Sequence, residues 1–220
     1  MTLPVVTVVI PTIPGREEHY ARCRASYLAT CDGVCDLDLI TVTGEPTCGW
    51  GWQAGIEKMR PASKYLHLTC DDIEAQPGWL QAAIEAITEH VLPAPRILNG
   101  ATGAPESFPQ WGTDWPDGTP AGLSALPFMS RDLFEQHVAP MFTAHYFGDN
   151  WVTWRSARAG FPALVRRGYF FKHHWAEHRR GAGMDYGERL AHDEGLFYQA
   201  AGMVQRGEWV KPWPPRDGCP

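Results

Sequence analysis

The sequence predicts an α/β fold in which helices flank a mostly parallel central sheet. Apolar strand patterns alternate with helical patterns along the first half of the 220 residues, and short connections join them. The run at residues 5–10, V-V-T-V-V-I, is β-branched throughout, as is typical of a strand buried on both faces. A third strand ends in two carboxylates, after which a Pro-Gly turn opens a helix. This arrangement favours one α/β domain.

Each element follows from its residue pattern. Apolar or aromatic runs that end at Gly, Pro or charged residues predict strands at 5–10, 37–42, 96–100, 126–129 and 169–174, with another that begins at 65 and ends at Asp71 and Asp72. Apolar residues at helical spacing predict helices at 17–30, 53–59, 81–90, 131–137 and 151–159. We therefore expect the domain to cover residues 1–210, followed by a Pro-rich tail at 211–220.

Composition narrows the functional classes. The formal net charge of -6 gives no general attraction to nucleic acid. No apolar run approaches the ~18–20 residues of a membrane span, so we expect no transmembrane segment. The N-terminus lacks the basic start and long apolar core of a signal peptide, so a cytoplasmic location and six free thiols are expected.

Residues 65–80 hold the acidic strand tip around which the rest of the chain is organised. In an α/β sheet the ligand crevice lies beyond the carboxyl ends of the strands, which places Asp71 and Asp72 there. Strand alternation predicts that Cys70 and Asp72 share one face, that Asp71 points to the other, and that Asp72 is exposed. A solvated turn or a helix cap is the alternative interpretation of such a pair.

A long segment at residues 102–122 is rich in Pro and Gly and has no regular period. It contains Trp111 and Trp115, and Trp151 follows in the helix after it. A loop of this length in a compact domain is usually functional or disordered. The flat faces of these three tryptophans are candidates for stacking on an acceptor, with core packing as the alternative for each.

The order of these motifs resembles the inverting nucleotide-sugar glycosyltransferases of the GT-A fold, family 2 type, from about Val5 to His178. The matching features are V-V-I-P-T, the C-D-D strand tip before P-G-W-L, Gly148-Asp149 before W-V-T-W-R-S-A-R-A-G-F, and a late strand ending in two histidines. Two positions depart from the family pattern. Cys70 replaces the first acidic residue of the D-x-D motif, and Glu45 alone stands where an Asp-rich turn is usual.

The resemblance implies a GT-A-like, Rossmann-like domain that uses a nucleoside-diphosphate sugar, with a UDP-sugar as the expected donor. It implies donor contacts from Pro11, Thr12, Glu45, Asp71 and Asp72. The acceptor is left open among a glycan, a lipid, a protein and a modified nucleic acid. A divalent metal, Mn2+ or Mg2+, is implied as cofactor, since such ions bind carboxylates together with substrate phosphates.

The resemblance also assigns individual roles. Asp72 matches the metal ligand of the motif, and a further ligand is implied in the late strand, where we choose His173 over His174. Cys70 remains an alternative ligand, although soft sulfur suits Mg2+ poorly. Asp149 matches the catalytic base, and its alternative is a helix cap.

Two other functions stay open. A nucleotidyltransferase can share a nucleotide-binding sheet and a metal-bound Asp, but it usually carries a Gly-rich, basic loop after the first strand. Here P-T-I-P-G-R offers one Gly and one Arg. A non-catalytic carbohydrate-binding or nucleotide-sugar-binding domain is the second alternative, which the Cys in the acidic motif favours.

Overall fold

A computed structural model describes residues 2–105, 123–174, 186–208 and 211–216 of the chain. Its strands are β1 Val5–Thr12, β2 Asp36–Thr43, β3 Tyr65–Leu68, β4 Ile73–Ala75, β5 Leu92–Asn99, β6 Phe128–Ser130 and β7 Ala163–His173. Its helices are α1 Glu17–Cys31, α2 Cys48–Ile56, α3 Trp79–Thr88, α4 Arg131–Leu133, which continues as a π-helical turn at Phe134–Val138, α5 Gly148–Arg158 and α6 Tyr186–Gln205.

The central sheet has the strand order β2-β1-β3-β6. β1 pairs in parallel with β2 and β3, whereas β6 runs antiparallel to β3. Val8 and Val9 of β1 and Leu66 and Leu68 of β3 are fully buried, because helices cover both faces of these strands. The predicted α/β class is confirmed.

A second, three-stranded sheet has the order β4-β7-β5. β4 is antiparallel to β7, with Ile73 opposite His173, and β5 is parallel to β7. The sequence did not predict β4, because three residues between an acidic tip and a Pro-Gly turn carry too little periodicity. The pairing of β4 with β7 brings the end of β7 beside Asp72.

Helix α2 begins at Cys48 rather than at residue 53. The hydroxyl of Thr47 accepts a hydrogen bond from the Trp50 amide at 3.0 Å, which caps the helix. The sequence C-G-W-G-W has low helix propensity, but its glycines allow close packing. A Cβ atom on Gly49 would lie 2.6 Å from the carbonyl oxygen of Ala144.

The C-terminal arm at residues 211–216 contacts the segment before α5. The Thr143 amide donates to the carbonyl oxygen of Trp213 at 2.6 Å, and the Thr143 hydroxyl donates to that of Pro214 at 2.7 Å. Trp111 and Trp115 lie outside the described residues. Within the described ranges, no helix is both long enough and apolar enough to cross a bilayer.

Candidate active site

Asp71 and Asp72 lie just beyond β3 and are buried, with exposed fractions of 4% and 2%. The prediction of an exposed Asp72 is therefore wrong. The predicted alternation is wrong as well, because β3 ends at Leu68 and residues 69–72 leave the strand geometry. Both carboxylates instead approach one guanidinium, that of Arg16.

Arg16 joins the two carboxylates. Its Nη2 lies 2.9 Å from Oδ1 of Asp71 and 3.3 Å from Oδ2 of Asp72. Two neighbouring buried carboxylates need a positive partner, and the guanidinium supplies it. Arg16 was not among the predicted site residues. The available signal was its position in P-T-I-P-G-R, directly after the strand that pairs with β3.

Thr12 holds the other side of Asp71. Its hydroxyl donates to Oδ2 of Asp71 at 2.7 Å. Pro11 and Thr12 end β1, opposite Val42 and Thr43 of β2. The two β1 residues predicted to bind the donor therefore lie at the carboxyl edge of the sheet, and Thr12 contacts the acidic pair directly.

The two late histidines, His173 at the end of β7 and His174 directly after it, contact different carboxylates. Nε2 of His173 lies 3.6 Å from Oδ2 of Asp72, and the side chain is almost completely buried. Nε2 of His174 lies 2.9 Å from Oε1 of Glu74, and its ring packs over Gly100. His173 is thus the histidine that accompanies Asp72.

Asp72 and His173 together form a carboxylate and imidazole pair of the kind that Mn2+ accepts. Across the part of the chain that the structure describes, no three His, Cys, Asp or Glu side chains gather to hold a metal ion. Ions such as Mg2+ commonly take one or two protein ligands and leave their other positions to water and phosphate oxygens.

Cys70, the alternative ligand, has a different partner. Its thiol is hydrogen-bonded to that of Cys48, and this bond, together with burial and the nearby carboxylates, raises the pKa of Cys70 well above its ordinary value. A protonated thiol is a poor metal ligand, since the thiolate is the binding form. These contacts favour a packing role for Cys70.

Asp149 is the second residue of α5, and Phe147 occupies the N-cap position. Oδ1 of Asp149 accepts a hydrogen bond from the Asn150 amide at 2.9 Å. A helix N-terminus ordinarily lowers the pKa of a carboxyl group. Here burial outweighs the backbone hydrogen bonds and raises the pKa of Asp149 from 3.8 to about 6.

Trp52 of α2 connects the two halves of the site. Its indole N–H donates to the carbonyl oxygen of Thr69 at 2.9 Å, next to the acidic tip. Its ring also packs on Gly148, where an added Cβ would lie 2.7 Å from Cζ3. Thr69 leads into the acidic tip, and Gly148 precedes Asp149, so one side chain spans both segments.

Two further predicted contacts have other partners. The indole of Trp151 is fully buried and its N–H lies 3.2 Å from the carbonyl oxygens of both Val138 and Pro140. The predicted acceptor contact of Trp151 is wrong, because the helix turns this ring into the core. Glu45 forms an ion pair with Arg216 of the C-terminal arm at 2.9 Å.

Comparisons with known proteins show the same fold. The catalytic domain of Drosophila beta1,4galactosyltransferase 7, solved in complex with xylobiose, aligns with a TM-score of 0.53 and 12% identity over 87% of this chain and 80% of that chain. S. aureus TarS aligns with a TM-score of 0.52 and 10% identity over 91% of this chain. The alignment spans only 44% of the TarS chain. No protein-family model and no curated protein matches the sequence.

Proposed function

We propose that this chain is a glycosyltransferase that moves a sugar from a nucleoside-diphosphate sugar to an acceptor hydroxyl with inversion. The observation that supports this function is the meeting of Asp71, Asp72 and His173 with Arg16 at the carboxyl edge of the central sheet. Ligands of α/β folds bind at this edge. The fold shared with a galactosyltransferase catalytic domain agrees with the proposal.

In this proposal the donor's diphosphate lies against the acidic tip. Asp72 and His173 would hold Mn2+ or Mg2+, which would neutralise charge on the departing diphosphate. Arg16 keeps a positive charge at the same edge whether or not metal is present. Thr12 fixes Asp71 from the β1 side.

The nucleoside of the donor, expected to be uridine, would extend towards the ends of β1 and β2. Pro11 lies there, and Glu45 is the acidic group placed to accept hydrogen bonds from the ribose or base. Glu45 would have to share or exchange its present partner Arg216 to do so.

Asp149 is the proposed base. The acceptor oxygen attacks the anomeric carbon from the face opposite the diphosphate, and its proton passes to the Asp149 carboxylate. The bond between the anomeric carbon and the diphosphate oxygen breaks, and its electron pair leaves with the nucleoside diphosphate. A carboxyl group with a pKa of about 6 is ionised at neutral pH and still basic enough to assist this step.

Calorimetric titration of UDP-sugars, with and without Mn2+, tests the proposal. We expect Mn2+-dependent donor binding that is lost in Asp72→Ala and kept in Asp32→Ala, a matched change at an exposed position. Saccharides should be tried first as acceptors, because the galactosyltransferase neighbour was solved with xylobiose. Binding of sugar without nucleotide would instead show a carbohydrate-binding domain, and preference for nucleoside triphosphates would show a nucleotidyltransferase.

A further inference from the structure

The turn before α5 determines where Asp149 begins its helix. Phe147 has a left-handed backbone with φ of 67°, which is uncommon for a residue other than glycine. Gly148 and Asp149 follow it immediately. A residue other than glycine persists in this conformation where partners in other segments hold it in place.

Asp193 of α6 supplies such partners. Oδ2 of Asp193 accepts hydrogen bonds from the backbone amides of His145 at 3.1 Å and Tyr146 at 3.0 Å. The side chain is almost completely buried, with Nε of Arg189 3.7 Å from Oδ2 and Nδ1 of His192 3.1 Å from Oδ1. A buried carboxylate that receives two backbone N–H groups is a strong and directional anchor.

We propose that Asp193 is a positioning residue for Asp149. Asp193 holds the turn at residues 145–147, and the turn sets the place and burial of the base at the start of α5. This inference rests on the proposed role of Asp149, but the structural part of it, that Asp193 fixes the turn, stands apart from any reaction.

The aromatic contacts of α6 extend this anchor. Phe197 lies one helical turn after Asp193 and therefore on the same face. Its ring stacks on Phe147 at a centroid distance of 5.6 Å and meets Phe142 at 6.0 Å. It also meets Trp154 of α5 at 6.1 Å. Helix α6 thus contacts both ends of the turn segment and the helix that follows it.

Residues 143 and 144, the first half of the segment that leads to α5, are held by other hydrogen bonds. The Thr143 amide donates to the carbonyl oxygen of Trp213 in the C-terminal arm, and the Gly49 amide donates to the carbonyl oxygen of Ala144. The hydrogen bonds to Asp193 come from His145 and Tyr146, in the half of the segment nearest Asp149. Loss of the Asp193 carboxylate is therefore expected to loosen the turn locally while the rest of the segment stays in place.

The experiment compares Asp193→Ala with two controls. In Asp193→Asn the amide oxygen can still accept both N–H groups. Glu194→Ala changes an exposed residue of the same helix. In Asp193→Ala we expect faster hydrogen exchange at the His145 and Tyr146 amides. We also expect the pKa of Asp149, followed by carbon NMR of its carboxyl group, to fall from about 6 towards 3.8 as water reaches it.

Turnover should fall by about 10- to 100-fold in Asp193→Ala with the KM for donor unchanged, since misplacement of a reacting group has effects of this size. Asp193→Asn should recover part of the loss, and Glu194→Ala should behave as the parent. Unchanged exchange and an unchanged Asp149 pKa in Asp193→Ala would overturn the inference. If Asp193→Ala does not fold, Asp193→Leu is measured instead, because leucine is similar in size but cannot accept a hydrogen bond. Faster exchange at both amides together with a lowered Asp149 pKa in Asp193→Leu would support the anchor, and parent values for both would overturn it.

A parent protein that shows no sugar transfer would contradict the proposed function alone. The exchange and NMR measurements would still decide whether Asp193 positions Asp149.

Discussion

His67 of β3 is buried in the core directly before the segment that carries the acidic pair. The Tyr27 hydroxyl lies 2.8 Å from its Nε2, and the carbonyl oxygen of Pro127 lies 3.2 Å from its Nδ1. Burial lowers the pKa of His67 from 6.5 to about 3, and the Pro127 contact only partly opposes this effect. The imidazole is therefore neutral in the folded protein at any pH near neutrality.

This neutral histidine predicts a loss of stability in acid. Between pH 6.5 and about 3 the unfolded chain binds a proton at His67 that the folded chain does not, so the free energy of unfolding falls as pH falls through this range. The contribution approaches about 1.4 kcal/mol per pH unit. Above pH 6.5 neither state holds that proton, and the contribution of His67 is constant.

The variant His67→Phe isolates this effect, because both partners of the lost imidazole keep another hydrogen bond. The Tyr27 hydroxyl still donates to Thr69, and the Pro127 carbonyl oxygen still accepts from the Leu68 amide. Urea unfolding of both proteins from pH 4 to pH 8 should show a shallower decline below about pH 6.5 in the variant. Equal slopes in parent and variant would mean that His67 does not carry the acid sensitivity.

Single residues of the site show what sequence can and cannot predict. Asp72 and His173 follow from their places at strand ends and from the family resemblance. Arg16 does not, because a lone Arg in a loop has no periodicity, and only the pairing of β1 with β3 brings it to Asp71. The burial of Asp71 and Asp72 is equally a product of tertiary contacts.

At the scale of elements, α2 is the piece that joins the two halves of the site. Its glycines approach β1 and the segment before α5, and Trp52 contacts both Thr69 and Gly148. The indole is held at its N–H by Thr69, so it has little freedom to move away from Gly148. Close contact between α2 and α5 is thus a condition for the geometry around Asp149.

Gly148→Ala tests this contact. The new Cβ would lie 2.7 Å from Cζ3 of Trp52, and overpacking of this kind costs about 1–3 kcal/mol of unfolding free energy. Gly195→Ala in α6 is the matched control, since its new Cβ meets nothing within 4 Å. Replacing a helical glycine by alanine raises the free energy of unfolding by about 0.5–1 kcal/mol. Urea denaturation should therefore give changes of opposite sign. A neutral or stabilising Gly148→Ala would show that α2 and α5 can separate at this point.

The elements that the sequence predicted well are β1, from its continuous β-branched run, and α1, from a few apolar residues at helical spacing. The start of α2 was missed because its glycines serve packing and not helix propensity. β4 was too short to detect, and α6 was not predicted although it holds the turn before Asp149. In each case the decisive information lies in contacts between segments distant along the chain.

At the scale of the whole molecule, two sheets meet at one edge. The central sheet contributes Thr12 and the segment after β3, while the smaller sheet contributes His173 through the pairing of β4 with β7. The α/β class and the parallel pairing of the first strands were predictable. The second sheet was not, because its pairing of residues 73–75 with 171–173 joins parts of the chain that no local pattern connects.

The variant Asp149→Asn tests most directly whether Asp149 accepts the proton of the acceptor hydroxyl. The Asn oxygen can keep the hydrogen bond from the Asn150 amide, so the fold and donor affinity should be retained. Turnover at saturating donor should fall by about 10²–10⁴-fold. In the parent, kcat/KM should decline as pH falls through about 6, because a protonated Asp149 cannot act as base. A folded Asp149→Asn variant that binds donor and turns over at the parental rate would contradict the role of Asp149 as base.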